Sequence, residues 1–134
     1  MMNKNEFSKL IQFSIVGSIG VIVDLGGTWF FKEKLMISPY VASCLGFTLA
    51  VLNNYILNKY WTFQDKSELS FYQFLGFLFV SVGGLLLNTL CVKLMYDGLD
   101  LNFYLSKVLA IGIVVPWNYF ANSRFVFRNK AKLN

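Results

Sequence analysis

A few polar side chains of this chain stand inside long apolar runs. Asp24 and Lys107 carry charge, and Asn54, Asn58, Asn88, Asn118 and Asn122 carry amides. A charge at the centre of a lipid bilayer costs at least roughly 2.5–3.5 kcal/mol unless it is paired or solvated. An amide exchanges hydrogen bonds with hydroxyls, water or another helix and carries no permanent charge. The chemistry to expect is therefore recognition of a polar or anionic group in apolar surroundings. Bond-making chemistry lacks its usual parts. The chain has no His, the commonest metal ligand and neutral-pH base. Asp24 is the only carboxylate deep in an apolar run, so carboxylate-pair catalysis has no second member. No Walker motif, Gly-rich strand-helix turn, Ser/His/Asp set or metal-ligand cluster is present. No catalytic residue, metal or cofactor is expected, and an enzyme is disfavoured.

The elements that must position these residues follow from composition. Of 134 residues, 56% are hydrophobic and 14% charged, against about 25% charged in a soluble domain; the mean hydropathy is +0.54. A spanning helix needs about 20 mainly apolar residues. Four stretches qualify, at about Leu10–Phe31, Pro39–Leu57, Phe71–Met95 and Phe103–Asn122. Ser38 before Pro39, and Asn102 before Phe103, have the chemistry of helix N-caps. The apolar run after Lys9 is too long for a signal-peptide core, so it reads as a retained helix. Cys44 and Cys91 read as buried free thiols.

The net charge of +5 serves as a topology signal, and no nucleic acid partner is expected. Lys4, Lys9, Lys59, Lys66, Arg124, Arg128, Lys130 and Lys132 fall on one side, and Lys32 and Lys34 on the other, with Lys93 and Lys107 set into helix ends there. The positive-inside rule then places both termini and the loop from Lys59 to Ser70 in the cytoplasm. Trp29, Phe30 and Phe31 form an outer aromatic belt, and Tyr60, Trp61, Phe63, Phe125 and Phe127 an inner one.

The chain also repeats itself. Asn54-Tyr55-x-x-Asn58-x-x-Trp61-x-Phe63 returns as Asn118-Tyr119-x-x-Asn122-x-x-Phe125-x-Phe127, at an offset of 118 − 54 = 64 residues. The same offset pairs Phe7 with Phe71, Phe13 with Phe77, Val16 with Val80, Gly20 with Gly84, Tyr40 with Tyr104 and Lys66 with Lys130. The expected fold is an all-α membrane protein whose four transmembrane helices form a tandem parallel repeat of two-helix units. Residues 1–134 make a single domain, with repeat 1 at about 7–66 and repeat 2 at about 71–130. Polar pathways in repeat transporters tend to lie at the repeat interface.

Individual residues carry two readings each. Asp24 shares a stripe with Phe13, Gly17, Gly20 and Thr28; its repeat partner is Asn88, on a stripe with Phe77, Ser81 and Gly84. It either lines a pathway or hydrogen-bonds a neighbouring helix. Lys107 pairs with Asp24, meets a lipid phosphate, or snorkels to the interface. It lies on one face with Asn118 and Asn122. The four asparagines of the repeated motif either meet a ligand or join helices. Pro116 removes a hydrogen bond from the fourth span and favours a kink there.

These residues bring the sequence close to a known family. Phe13-x-x-Val16-Gly17, Asp24, and the two Asn-Tyr-x-x-Asn ends resemble the GtrA-like family over about Phe7 to Arg128. The resemblance implies a protein of the bacterial cytoplasmic membrane that moves a polyprenyl-phosphate-linked sugar from the inner to the outer leaflet. There a membrane glycosyltransferase uses it for cell-surface polysaccharide or teichoic acid glycosylation. Lys107 and Asn118 match polar positions of the family's fourth span, and Asn58 and Phe63 the end of its second. On this reading Asn54, Asn58, Asn118 and Asn122 contact the head group in a groove between repeats, and Lys107 attracts the phosphate. Partners are then the lipid-linked sugar, membrane lipid and the glycosyltransferase. Four short helices leave little room for a sealed pathway, so a homo-oligomer is also carried forward. The first alternative is a non-transporting partner that recruits or stabilises a glycosyltransferase. A small proton-coupled multidrug exporter is the other, but Asp24 is displaced outward from where such proteins place a glutamate.

Overall fold

The computed structural model describes residues 2–128, so Lys130, Lys132 and the Lys66–Lys130 pairing lie outside the described residues. Among the described residues the chain is nearly all helix, with no strand. Helix α1 spans Lys4–Trp29, α2 Pro39–Leu57, α3 Phe71–Lys93 and α4 Phe103–Ala121. Each continues into a wider, π-helical turn, at Phe30–Lys34, Asn58–Thr62, Leu94–Gly98 and Asn122–Val126. The continuous stretches are 31, 24, 28 and 24 residues long. At about 1.5 Å per residue, each exceeds a hydrocarbon core of roughly 30 Å. Large apolar side chains such as Ile22, Phe79, Leu86 and Val108 face outward, which suits lipid. The protein is a multi-pass integral membrane protein.

The helix starts are set by caps. Asn102 Oδ1 accepts from the N–H groups of Tyr104 at 2.9 Å and Leu105 at 3.3 Å. Ser70 Oγ accepts from Gln73 N at 3.4 Å. Ser38 occupies the N-cap position before Pro39, but its side chain makes no capping bond; Pro39 itself has no N–H to satisfy. Helix α1 begins at Lys4, earlier than the hydropathy suggests, because Asn3 Oδ1 accepts from Glu6 N at 2.8 Å. Helix α4 runs on through Pro116.

Three of the wide turns stop in the same manner. Met36, Gln64 and Asp100 have φ of 55°, 51° and 50°, a left-handed conformation that cannot continue a helix. The N–H of the next residue then closes on a carbonyl six positions back: Ile37 on Phe31, Asp65 on Lys59 and Leu101 on Met95, at 3.0, 2.8 and 3.1 Å.

The chain divides into two compact units, Met1–Ser67 and Glu68–Asn134. The first holds α1 packed along α2, and the second α3 packed along α4. Both cysteines are free thiols; Cys44 is exposed rather than buried, and Cys91 is half-buried.

Candidate functional site: amides packed inside each helix pair

In the first unit, Asn54 of α2 lies directly against Gly20 of α1. A Cβ on Gly20 would stand 2.8 Å from Asn54 Cγ, so the amide fills space that only glycine leaves. Gly17, expected on the same stripe, faces open space. The second close approach is instead at Gly46, where a Cβ would stand 2.6 Å from the Asp24 carbonyl oxygen. Such small residues let membrane helices approach closely. Asn54 Oδ1 is buried with no donor, and the adjacent Asn53 Nδ2 is buried with no acceptor. One turn on, Asn58 is buried and its Oδ1 accepts from Thr62 Oγ1 at 2.9 Å. Phe63 is buried too, its ring set edge-on to Phe13 of α1 with centroids 6.3 Å apart.

The second unit carries matching contacts. Asn118 of α4 lies against Gly84 of α3, where a Cβ would stand 2.7 Å from Asn118 Cγ. Phe127 is edge-on to Phe77 at 6.1 Å. Asn122, 1% exposed, donates from Nδ2 to the Asn118 carbonyl at 2.9 Å. Here the side-chain oxygens of both Asn118 and Asn122 are buried without a donor. Such groups usually have a partner, protein or otherwise, because an unmade hydrogen bond costs about 1–3 kcal/mol. An apolar groove of about 570 Å³ runs between α3 and α4, with Gly76, Val80 and Gly83 on one side and Trp117, Ala121 and Val126 on the other.

The remaining expected residues are dispersed. Asp24 is half-buried and its Oδ1 accepts from Thr28 Oγ1 at 3.3 Å, one turn along α1. Asn88 is half-buried on α3, one turn beyond Gly84. Lys107 is exposed, and its ammonium stands 5.1 Å from the ring centroid of Phe103.

Lys59, which the sequence reading counted only as a topology charge, has 0% exposure. Its Nζ lies 3.1 Å from Asp65 Oδ2 and 2.9 Å from Ser67 Oγ, and Asp65 Oδ1 accepts from Ser67 N at 2.9 Å. The loop after α2 thus folds back over the helix end. A signal was present: at the repeat offset Lys59 and Asp65 become Ser123 and Asn129, so both charges are lost together.

Long lipid-facing helices with amides packed against glycines inside each pair define a small polytopic membrane protein with buried polar groups. The chain belongs to the family described as GtrA/DPMS, transmembrane domain, which it matches over residues 12–127. It is 28% identical over 120 residues to a dolichol-phosphate mannosyltransferase of Pyrococcus furiosus, with 89% of this chain and 34% of that protein covered. The chain therefore spans about a third of that relative's length. It is 23% identical over 129 residues to the uncharacterized membrane protein YngA of Bacillus subtilis, covering 96% of this chain and 86% of that one.

Proposed function

We propose that this protein carries a polyprenyl-phosphate-linked monosaccharide from the inner to the outer leaflet of the bacterial cytoplasmic membrane, for glycosylation of a cell-surface polysaccharide or teichoic acid. The carrying observation is that Asn54 and Asn118 bury unpartnered side-chain amide oxygens at matching places in the two units. Sugar hydroxyls are donors of the kind these oxygens lack. The relative named as a dolichol-phosphate mannosyltransferase supports a substrate of this class. In this reading the two units are copies of one two-helix repeat, with both chain termini in the cytoplasm. The Asn-Tyr-x-x-Asn ends then meet the head group as it leaves the inner leaflet. Lys107, near the start of α4, attracts the phosphate toward the other face, while Asp24 in the first unit and Asn88 in the second each offer a further polar group within its own helix pair. The groove between α3 and α4 offers an apolar bed for part of the isoprenoid tail. Transport needs no motor. Consumption outside draws the lipid across, and a negative interior adds up to about 2.3 kcal/mol per charge per 100 mV for an outgoing anion.

One observation favours a second reading, a non-transporting partner of a glycosyltransferase. The matching region occupies only 34% of the mannosyltransferase relative, so a domain like this one is found within a longer chain that bears a transferase name. Proteoliposomes containing only this protein and a polyprenyl-phosphate hexose separate the two. Translocation predicts that inner-leaflet lipid reaches an external periodate reagent much faster than in protein-free vesicles, and that Asn118→Ala abolishes the gain. A rate equal to that of protein-free vesicles, with the protein folded, sinks the translocase reading and leaves the partner.

A further inference from the structure

The two Asn-Tyr-x-x-Asn ends are alike in sequence but not in hydrogen bonding. At their first positions, Asn54 and Asn118, both side-chain oxygens are buried without a donor. At their second positions they part. Asn58 Oδ1 is satisfied by Thr62 Oγ1 at 2.9 Å, four residues on within the same wide turn. Asn122 sits in the equivalent turn, but the residue four positions on is Val126. A valine has the shape of threonine without its hydroxyl. Asn122 Oδ1 is accordingly buried with no donor. The difference extends to the neighbouring charge: the Lys59–Asp65–Ser67 cluster that closes the first end has Ser123 at the position of Lys59.

We infer that the two ends have divided their work: the second unit holds the sugar through the paired oxygens of Asn118 and Asn122, and Asn58, its own oxygen already satisfied by Thr62, is a structural member of the first end. This rests on the proposed sugar-bearing lipid as ligand. Two acceptors one helical turn apart can take two hydroxyl donors from one ring, whereas the first end offers a single acceptor, Asn54. Asn122 is held for the task, because its Nδ2 is already committed to the Asn118 carbonyl. That bond leaves its oxygen as the free half of the amide.

The test converts one end into the other. Val126→Thr places a hydroxyl where Thr62 has one, and so supplies Asn122 Oδ1 with an internal donor at nearly constant volume. The full chain in nanodiscs is titrated with two probes, a polyprenyl phosphate bearing a hexose and the same lipid phosphate without the sugar. The readout is the ratio of the two affinities. The wild type is expected to favour the sugar-bearing probe. Val126→Thr is expected to lower the ratio about threefold to tenfold, the worth of one hydrogen bond; Val126 also lines the groove proposed for the tail, and a change there falls on both probes alike and cancels in the ratio. Asn122→Leu, which removes the acceptor and fills its space, is expected to lower it likewise and serves if the first variant does not fold. Thr62→Val, the same change in the first unit, is not expected to lower it. An unchanged ratio in both second-unit variants overturns the inference, as does an equal fall in Thr62→Val. The flux assay stays separate. A protein that keeps the ratio pattern but moves no lipid fails as a translocase and leaves this inference standing.

Discussion

Lys59 Nζ lies 3.1 Å from Asp65 Oδ2, with the lysine side chain 0% exposed and the aspartate 16% exposed. An ammonium withdrawn this far from water depends on its partner, because breaking a buried pair strands a charge at about 3–5 kcal/mol. Asp65→Ala is therefore expected to destabilise the protein by about 3 kcal/mol. Lys59→Met is expected to cost clearly less, since it removes the buried charge and leaves a carboxylate that retains some contact with water. Thermal unfolding in detergent of the two single variants and the double variant gives the comparison. Equal costs for the two singles contradict this asymmetry.

The glycines give a sharper contrast. A Cβ at Gly20 or Gly84 meets the amide of Asn54 or Asn118, whereas at Gly17 or Gly83 it meets nothing within 4 Å. Overpacking costs about 1–3 kcal/mol, while alanine in an open helical position gains up to about 1 kcal/mol over glycine. Gly20→Ala and Gly84→Ala should lower the melting temperature, and Gly17→Ala and Gly83→Ala should hold or raise it. Adding Asn54→Ala to Gly20→Ala should recover part of the loss, because the colliding amide is then gone. Failure of that recovery would place the clash elsewhere.

Much of this fold is legible in the sequence. The four spans follow from apolar length, and Pro39 and Asn102 mark helix starts by chemistry visible in the sequence. The asparagines at positions 54, 58, 118 and 122 were singled out by their spacing alone. What pattern reading lost were relations across space. Hydropathy began α1 near Leu10 because Lys4, Asn5 and Glu6 are polar, but Asn3 caps a helix that already includes them. Gly17 and Gly20 look equivalent on a helical wheel, yet only Gly20 meets α2. Lys59 resembles every other flanking lysine until the loop returns Asp65 to it. The change from Thr62 to Val126 at the 64-residue offset is visible in the sequence, but it has no meaning until Asn58 is seen to accept a bond from Thr62.

That bond has its own measurable weight. Thr62→Val leaves Asn58 Oδ1 buried without a donor, which costs about 1–3 kcal/mol. Thr62→Ser keeps the hydroxyl and should cost less. Unfolding midpoints of the two variants, read against wild type, check this. If Thr62→Val is as stable as wild type, the oxygen has found water or another donor, and the first end is not closed by this contact.

Lys107 carries the last prediction. Its ammonium stands 5.1 Å from the Phe103 ring centroid on an exposed part of α4. A cation over an aromatic face at an exposed site gains about 0.5–1 kcal/mol, so the ring holds the charge near the helix start without neutralising it. A lipid phosphate, carrying full negative charge, is a stronger partner and should draw the ammonium off the ring. Lys107→Gln is then expected to weaken binding of bare polyprenyl phosphate about tenfold, in line with loss of a charge-assisted hydrogen bond. Lys107→Arg should retain most of the affinity, and Phe103→Leu should not weaken it, since the ring competes with the phosphate for the same charge. Titration of the three variants in nanodiscs of neutral lipid, where no other anion competes, reads the effect directly. Equal affinity for wild type and Lys107→Gln would reduce Lys107 to a lysine that reaches for the membrane surface and takes no part in binding.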